Sequence, residues 1–201
     1  MIDHILFAVP NLAEGVAEFR QRVGVDPVKG GSHTNLGTAN YLVGLGGTAY
    51  FEIIGPDPDQ PDPAQPRPLG IDNLTASRVV GWCARPPDLD RTVDVARSRG
   101  YDPGTPRAMS RRAADGTLLT WRLTSFPTDP ADALVPFLID WGTSAHPSAN
   151  LPTLPLQSLE AEHPDPDLIR MRLAALDIDL PVRTGPEPRL VVTLQGPIVL
   201  S

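Results

Sequence analysis

Any chemistry in this chain has to come from a short list of side chains. There are four histidines and one cysteine among 201 residues. His4 lies in "MIDHILFAVP", on the same strand face as Ile2, Leu6 and Ala8; Glu52 lies in "YFEIIG", on a face with Tyr50 and Ile54. Strand alternation sends each set to one side, and adjacent strands can bring such residues together. An imidazole beside a carboxylate admits three roles: polar lining of a ligand pocket, a pair of metal ligands, or a structural pair in which His4 compensates a buried Glu52.

Other candidates surround that pair. His33, in the glycine-rich "GGSHTNLG", is either a surface-loop residue or a group that reaches over a pocket mouth to supply a missing ligand or a substrate contact. Asn40 sits in the apolar "TANYLVGL", where an amide needs a ligand or a structural partner. Arg111, in "AMSRRAADG", precedes a turn and is either solvated or closes over an anionic ligand. Trp82, Trp121 and Trp141 all fall in strands, as core or as the floor of an apolar site. Trp82 has the parity of Val80, and Arg122 beside Trp121 points the opposite way. His146 reads as a turn residue at a sheet end, and His163 as exposed.

Several chemistries are excluded. The chain has no G-x-S-x-G, no P-loop and no cysteine nucleophile with a histidine partner. "GLGGTAY" joins two strands rather than a strand and a helix, so no nucleotide cofactor is expected. A net charge of -7 argues against nucleic acid. The single Cys83 rules out a disulfide framework and a cysteine-rich zinc site. Apolar runs fall far short of the ~20 residues of a membrane span, and no basic-then-apolar leader opens the chain, so a soluble cytoplasmic protein is expected.

The elements that must position these residues come as a repeat. "HILFAVPNLAEGVAEFRQRVGVDPV" (4–28) and "VGWCARPPDLDRTVDVARSRGYDPG" (80–104) each read as strand, proline break, polar cap, amphipathic helix and Gly-x-Asp-Pro stop. Pro10 and Asp26 are 16 positions apart, as are Pro86 and Asp102. Asn11 and Asp88 are the expected helix caps. Shorter extended segments follow each helix: 26–34, 38–45 and 48–54, then 105–112, 117–123 and 134–141. "GLGG" (44–47) and "ADGT" (114–117) are the turns. A more degenerate third copy spans 156–182, with Asp165 as cap and Pro166 as first helical residue, followed by "RLVVTL", a "QGP" turn and "IVLS".

The expected fold is therefore α+β: tandem βαβββ modules forming a curved, mostly antiparallel sheet, helices on the outer face, and a degenerate third βαβββ unit at the C-terminus. The division is 1–55 for the first module, 56–76 for a proline-rich surface connector, 77–147 for the second module and 148–201 for the third. Small ligands favour the concave side of such a sheet.

"DHILFAVPNL" with "YFEIIG" resembles the vicinal oxygen chelate superfamily of glyoxalases, extradiol dioxygenases and bleomycin-resistance proteins. "GGSHTNLGTANYLVGLG", "MSRRAADGTLLTWRL" and "PFLIDWGTSAHP" are similar to its glyoxalase-like domain family. The resemblance covers most of 1–147. It implies a divalent metal in the concave face, held by His and Glu from the first and fourth strands of two units. His4 and Glu52 match; Zn, Fe, Mn, Ni or Co would suit such ligands. The second unit departs from the pattern: Val80 or Gly81 stands at the His4 position and Ile139 at the Glu52 position, with Asp140 facing away. The ligand set is incomplete.

Two functions follow. The first is a metal-dependent lyase, isomerase or dioxygenase using His4 and Glu52, with Glu52 alternatively a proton-transfer base. The second is a metal-free ligand-binding or antibiotic-sequestering protein in which His4, Asn40 and the tryptophans only hold a small molecule; His33, Asn40, Trp82, Trp121 and Arg111 are the candidate substrate-binding residues. A metal-free acid-base enzyme lies between them. The resemblance also implies pairing of units across subunits, hence a homodimer.

Overall fold

A computed structural model describes all residues except Thr34, Ala114, Thr128, Pro130 and Pro197. The expected turns at 114–117 and at "QGP" therefore lie partly outside the described residues.

The first repeat gives β1 (Ile2–Ala8), α1 (Leu12–Val23), β2 (Val28–His33), β3 (Thr38–Gly46) and β4 (Ala49–Pro56). The second gives β5 (Arg78–Ala84), α2 (Leu89–Ser98), β6 (Arg107–Ala113), β7 (Leu118–Leu123) and β8 (Phe137–Asp140). The caps act as the sequence predicts. The Asn11 side chain accepts from the amides of Ala13 and Glu14, and Asp88 accepts from Arg91. Gly24 ends α1 in the left-handed region, where a residue without Cβ is unstrained.

Within each repeat the outer strands pair in parallel, β1 with β4 and β5 with β8, and the rest antiparallel. The repeats then meet edge to edge, β1 on β5 and β2 on β6. The curved sheet thus closes into an eight-stranded barrel, β1-β4-β3-β2-β6-β7-β8-β5. Closure satisfies every edge with the other repeat.

Side-chain alternation divides the apolar residues into two clusters. Ile5, Phe7, Phe51 and Ile53 face outward beneath α1, where Phe19 stacks on Phe51 at 5.3 Å. The helix sits close because Gly15 leaves no Cβ; one there would stand 2.5 Å from Val9. Leu6, Ala8, Leu42, Tyr50 and Ile54 face the barrel interior with Trp121, Leu123, Phe137, Ile139 and Trp141.

The proline-rich run does not stay on the surface throughout. Its short 3-10 segment, Pro68–Asn73, buries Leu69 and Ile71 in the interior cluster. Apolar side chains in an otherwise polar connector are driven to the nearest apolar space, which is the barrel end. The connector expected at 56–76 is therefore in part a plug.

The third unit keeps the βαβββ element order: β9 (Leu156–His163), α3 (Pro166–Ala175), β10 (Val182–Thr184), β11 (Arg189–Leu194) and β12 (Ile198–Leu200). Asp165 caps α3 by accepting from Leu168, with Pro166 at its first turn. Its strands form a separate sheet, β10-β9-β11-β12, an order neither barrel repeat uses. Leu159, Ile169, Leu173 and Val192 join the outer cluster, so this unit covers the barrel rather than lining it. Among the described residues no helix is long and apolar enough to cross a membrane.

Candidate active site

Register places the central pair. β1 and β4 run parallel with His4 opposite Tyr50 and Leu6 opposite Glu52. β3 sets Leu42 opposite Glu52 and Asn40 opposite Ile54. All of these face inward. His4 Nε2 lies 3.6 Å from Glu52 Oε2, and both side chains are almost fully buried. Asn40 Nδ2 donates to Glu52 Oε1 at 2.7 Å. His33, on β2, brings Nε2 to 3.8 Å from Glu52 Oε1. It is a wall residue, buried with the pair rather than on a loop.

The cavity is lined by these groups and by Tyr50, Arg111, Trp121, Trp141, Phe126 and Phe137, among others. It is narrow, with about 40 Å³ open to the centres of water-sized molecules. That is room for a few waters, or for the head of a small ligand.

Trp82 is the candidate that does not reach it. It packs in the outer cluster, and its indole Nε1 donates to Leu134 O at 3.0 Å. The cause is a register shift: Leu6 pairs with Gly81 and Phe7 with Val79, so Val80 is the extra residue of a bulge. One added residue inverts the parity on either side. Val80 and Cys83 face inward while Val79 and Trp82 face out. The expectation that Trp82 follows Val80 into the pocket is corrected accordingly. Trp121 does line it.

A second buried carboxylate, unremarked in the sequence, sits at the edge of the site. Asp3 should alternate away from His4, but a register shift between Ile2 and His4 sets the two side chains together. Its Oδ1 is 2.8 Å from His4 Nδ1. Its Oδ2 is 3.0 Å from His146 Nε2, and it also accepts from Trp141 Nε1 at 3.3 Å. Arg85 adds an ion pair at 3.6 Å. Burial works to raise this carboxyl, but the hydrogen bonds from His146 and His4 outweigh it and hold it well below the ordinary carboxylate range. An ionised Asp3 only accepts, so His4 carries a proton on Nδ1 and turns Nε2 to the cavity. No local signal marks His146 for this: it is 143 positions from Asp3.

The remaining titratable groups are set by desolvation. Burial pulls His33 down to about 4, with only partial relief from Glu52, so its imidazole is neutral at pH 7. Burial, then the Glu52 charge, pushes the Tyr50 phenol well above its ordinary value. Tyr50 stacks on His4 at 4.9 Å. Burial likewise raises the Cys83 thiol, which leaves it unreactive.

The donors do not compose a metal seat. His4 and Glu52 converge, but among the described residues no group of three His, Cys, Asp or Glu side chains is placed to hold an ion. Glu52 Oε1 is taken by the Asn40 amide. The wall opposite presents Ile139 at the position that corresponds to Glu52, and Asp140 turns away to accept from Gly142 N. Among the described residues the only charge the second repeat adds to the lining is the Arg111 guanidinium, which repels a cation.

A closed pair of βαβββ repeats with its polar residues on the first and fourth strands is the architecture of the vicinal oxygen chelate superfamily. The chain belongs to its glyoxalase-like domain family, which matches residues 2–176. A hypothetical protein from Staphylococcus aureus superposes with a TM-score of 0.71 at 13% identity, over 96% of this chain and 90% of its own. Two methylmalonyl-CoA epimerases align over less of the chain. The Mycobacterium tuberculosis enzyme gives a TM-score of 0.41 at 18% identity, over 69% of this chain and 84% of its own. A Streptomyces coelicolor variant in complex with 2-nitronate-propionyl-CoA gives 0.46 at 17%, over 72% and 96%. No curated protein matches the chain in sequence.

Proposed function

We propose that the protein binds a small organic molecule inside the barrel without a metal, and that Glu52 is its proton-transfer group. One observation carries the reading. Among the described residues the only carboxylate lining the cavity is Glu52, held by an amide and flanked by two imidazoles, while the facing wall is apolar apart from one arginine. A carboxylate fixed against an apolar, water-poor space can take a proton from a bound C–H or O–H acid. His4, its tautomer set by Asp3, stands beside Glu52 to receive or return that proton. Trp121, Trp141, Phe126 and Phe137 supply the apolar surface for the ligand body.

The metal-dependent alternative rests on His4 and Glu52, with His33 as the neighbouring imidazole. Metal analysis of the purified protein separates the two. Substoichiometric divalent metal, with unchanged ligand binding after chelation, is expected. Stoichiometric metal that disappears in His4→Ala would overturn the reading. Solvent deuterium incorporation into a bound carbon acid, abolished in Glu52→Gln, tests the proton-transfer role.

A further inference from the structure

Three buried side-chain polar atoms among the described residues have no hydrogen-bond partner: Asn40 Oδ1, Arg111 Nη1 and Trp121 Nε1. All three residues line the same cavity, from β3, β6 and β7. Each unmade bond of this kind is costly, and an unpaired buried charge more so. Arg111 is the extreme case. It is 3% exposed, and the nearby Glu52 makes its contacts with Asn40, His4 and His33 instead. No ion pair or side-chain hydrogen bond of Arg111 is present among the described residues.

Gly30 keeps this arrangement open. A Cβ there would stand 2.3 Å from Asn40 Oδ1 and 3.0 Å from Arg111 Nη1. The two atoms thus pack against Gly30 side by side, near enough for one ligand group to reach both, and a side chain there would collide with them. A direct Arg111–Asn40 bond would satisfy the amide oxygen but leave the guanidinium without an anion.

We infer that the cavity is a receptor for a small carboxylate with an apolar body, its oxyanion held by Arg111 and the Trp121 N–H and an adjacent donor group received by Asn40 Oδ1. The inference deepens the metal-free reading and rests on it. The match is in charge as well as geometry. A single guanidinium balances one negative charge, and Glu52 nearby opposes a second, which favours carboxylate over phosphate dianion. The narrow volume selects a small head group.

Calorimetry on the intact protein, at low salt and after chelation, tests this with four probes: benzoate, mandelate, benzyl alcohol and inorganic phosphate. Benzoate and mandelate are expected to bind one per chain, mandelate the tighter because its hydroxyl can donate to Asn40. Arg111→Gln should weaken both about 10- to 100-fold and leave benzyl alcohol unchanged. Trp121→Phe, which removes only the N–H donor, should weaken benzoate about fivefold and serves if Arg111→Gln does not fold. Benzoate no tighter than benzyl alcohol, phosphate tighter than either carboxylate, or affinity unchanged in both variants would overturn the inference. If benzyl alcohol binds and the carboxylates do not, the metal-free pocket stands and the anion assignment falls. If no probe binds until divalent metal is restored, both fall.

Discussion

The two halves of the barrel share a backbone plan and divide the chemistry. β1 to β4 present His4, His33, Asn40, Tyr50 and Glu52 to the interior; β6 to β8 present Trp121, Leu123, Phe137 and Ile139, joined by Trp141 just past β8, with Arg111 the exception. The difference teaches that duplication fixes the scaffold and leaves the walls free. Helix caps, parallel first and fourth strands and edge pairing recur in both repeats. The polar set does not: the second repeat lines the cavity with apolar side chains and Arg111, and the Glu52 carboxylate is compensated by Asn40 and the histidines of its own repeat.

The comparison can be broken most strongly at Asp3. Asp3→Ala removes the shared acceptor of His4, His146, Trp141 and Arg85, and should cost about 3–5 kcal/mol by chemical denaturation. A loss below that of an ordinary core truncation would mean the polar half is not held by its charges. Next comes His33. Its pKa is lowered on folding, from 6.5 to about 4, so its contribution is whole above pH 6.5 and is lost as pH falls toward 4. Across that window the protein should lose on the order of 3 kcal/mol, and His33→Phe should flatten the profile. Asp3 acts lower, below the ordinary carboxylate value, so the two windows are separable.

Smaller effects sharpen the contrast. Gly30→Ala should destabilise by about 2 kcal/mol, because the new methyl must displace the Asn40 amide from Glu52. On the apolar wall, Ile139→Val should cost about 1 kcal/mol, by volume alone and independently of pH. Finally, Asn11→Ala and Asp88→Ala should each cost about 1 kcal/mol. Unequal losses there would show that the scaffolds are less alike than their geometry.

Local signals made the scaffold legible. The caps at Asn11, Asp88 and Asp165 depend on residues three positions away, and the strand faces of His4 and Glu52 depend on simple alternation. Asp140 turning away and Ile139 facing in follow from the same parity. What sequence could not show lies in irregular pairing and long-range contact. The bulge at Val80 inverts Trp82, and its neighbour near Ile2 draws Asp3 beside His4; neither has a composition cue. His33 is buried only because β2 pairs with β6 across the repeat junction, and His146 reaches Asp3 across most of the chain. The third unit repeats the element order but not the strand order, since a hydrophobic pattern specifies faces and leaves neighbours open.

Sealing the sheet on itself also dictates traffic. With every barrel strand paired on both sides, a ligand of the proposed kind would enter from an end of the barrel, where the connections contribute Leu36, Pro68 and Phe126 to the lining. Residues of that kind would set how fast such a ligand arrives and leaves as well as how tightly it is held. Trimming Leu36 would hasten arrival and departure alike, whereas trimming Phe126 would also weaken binding, because its ring belongs to the apolar surface.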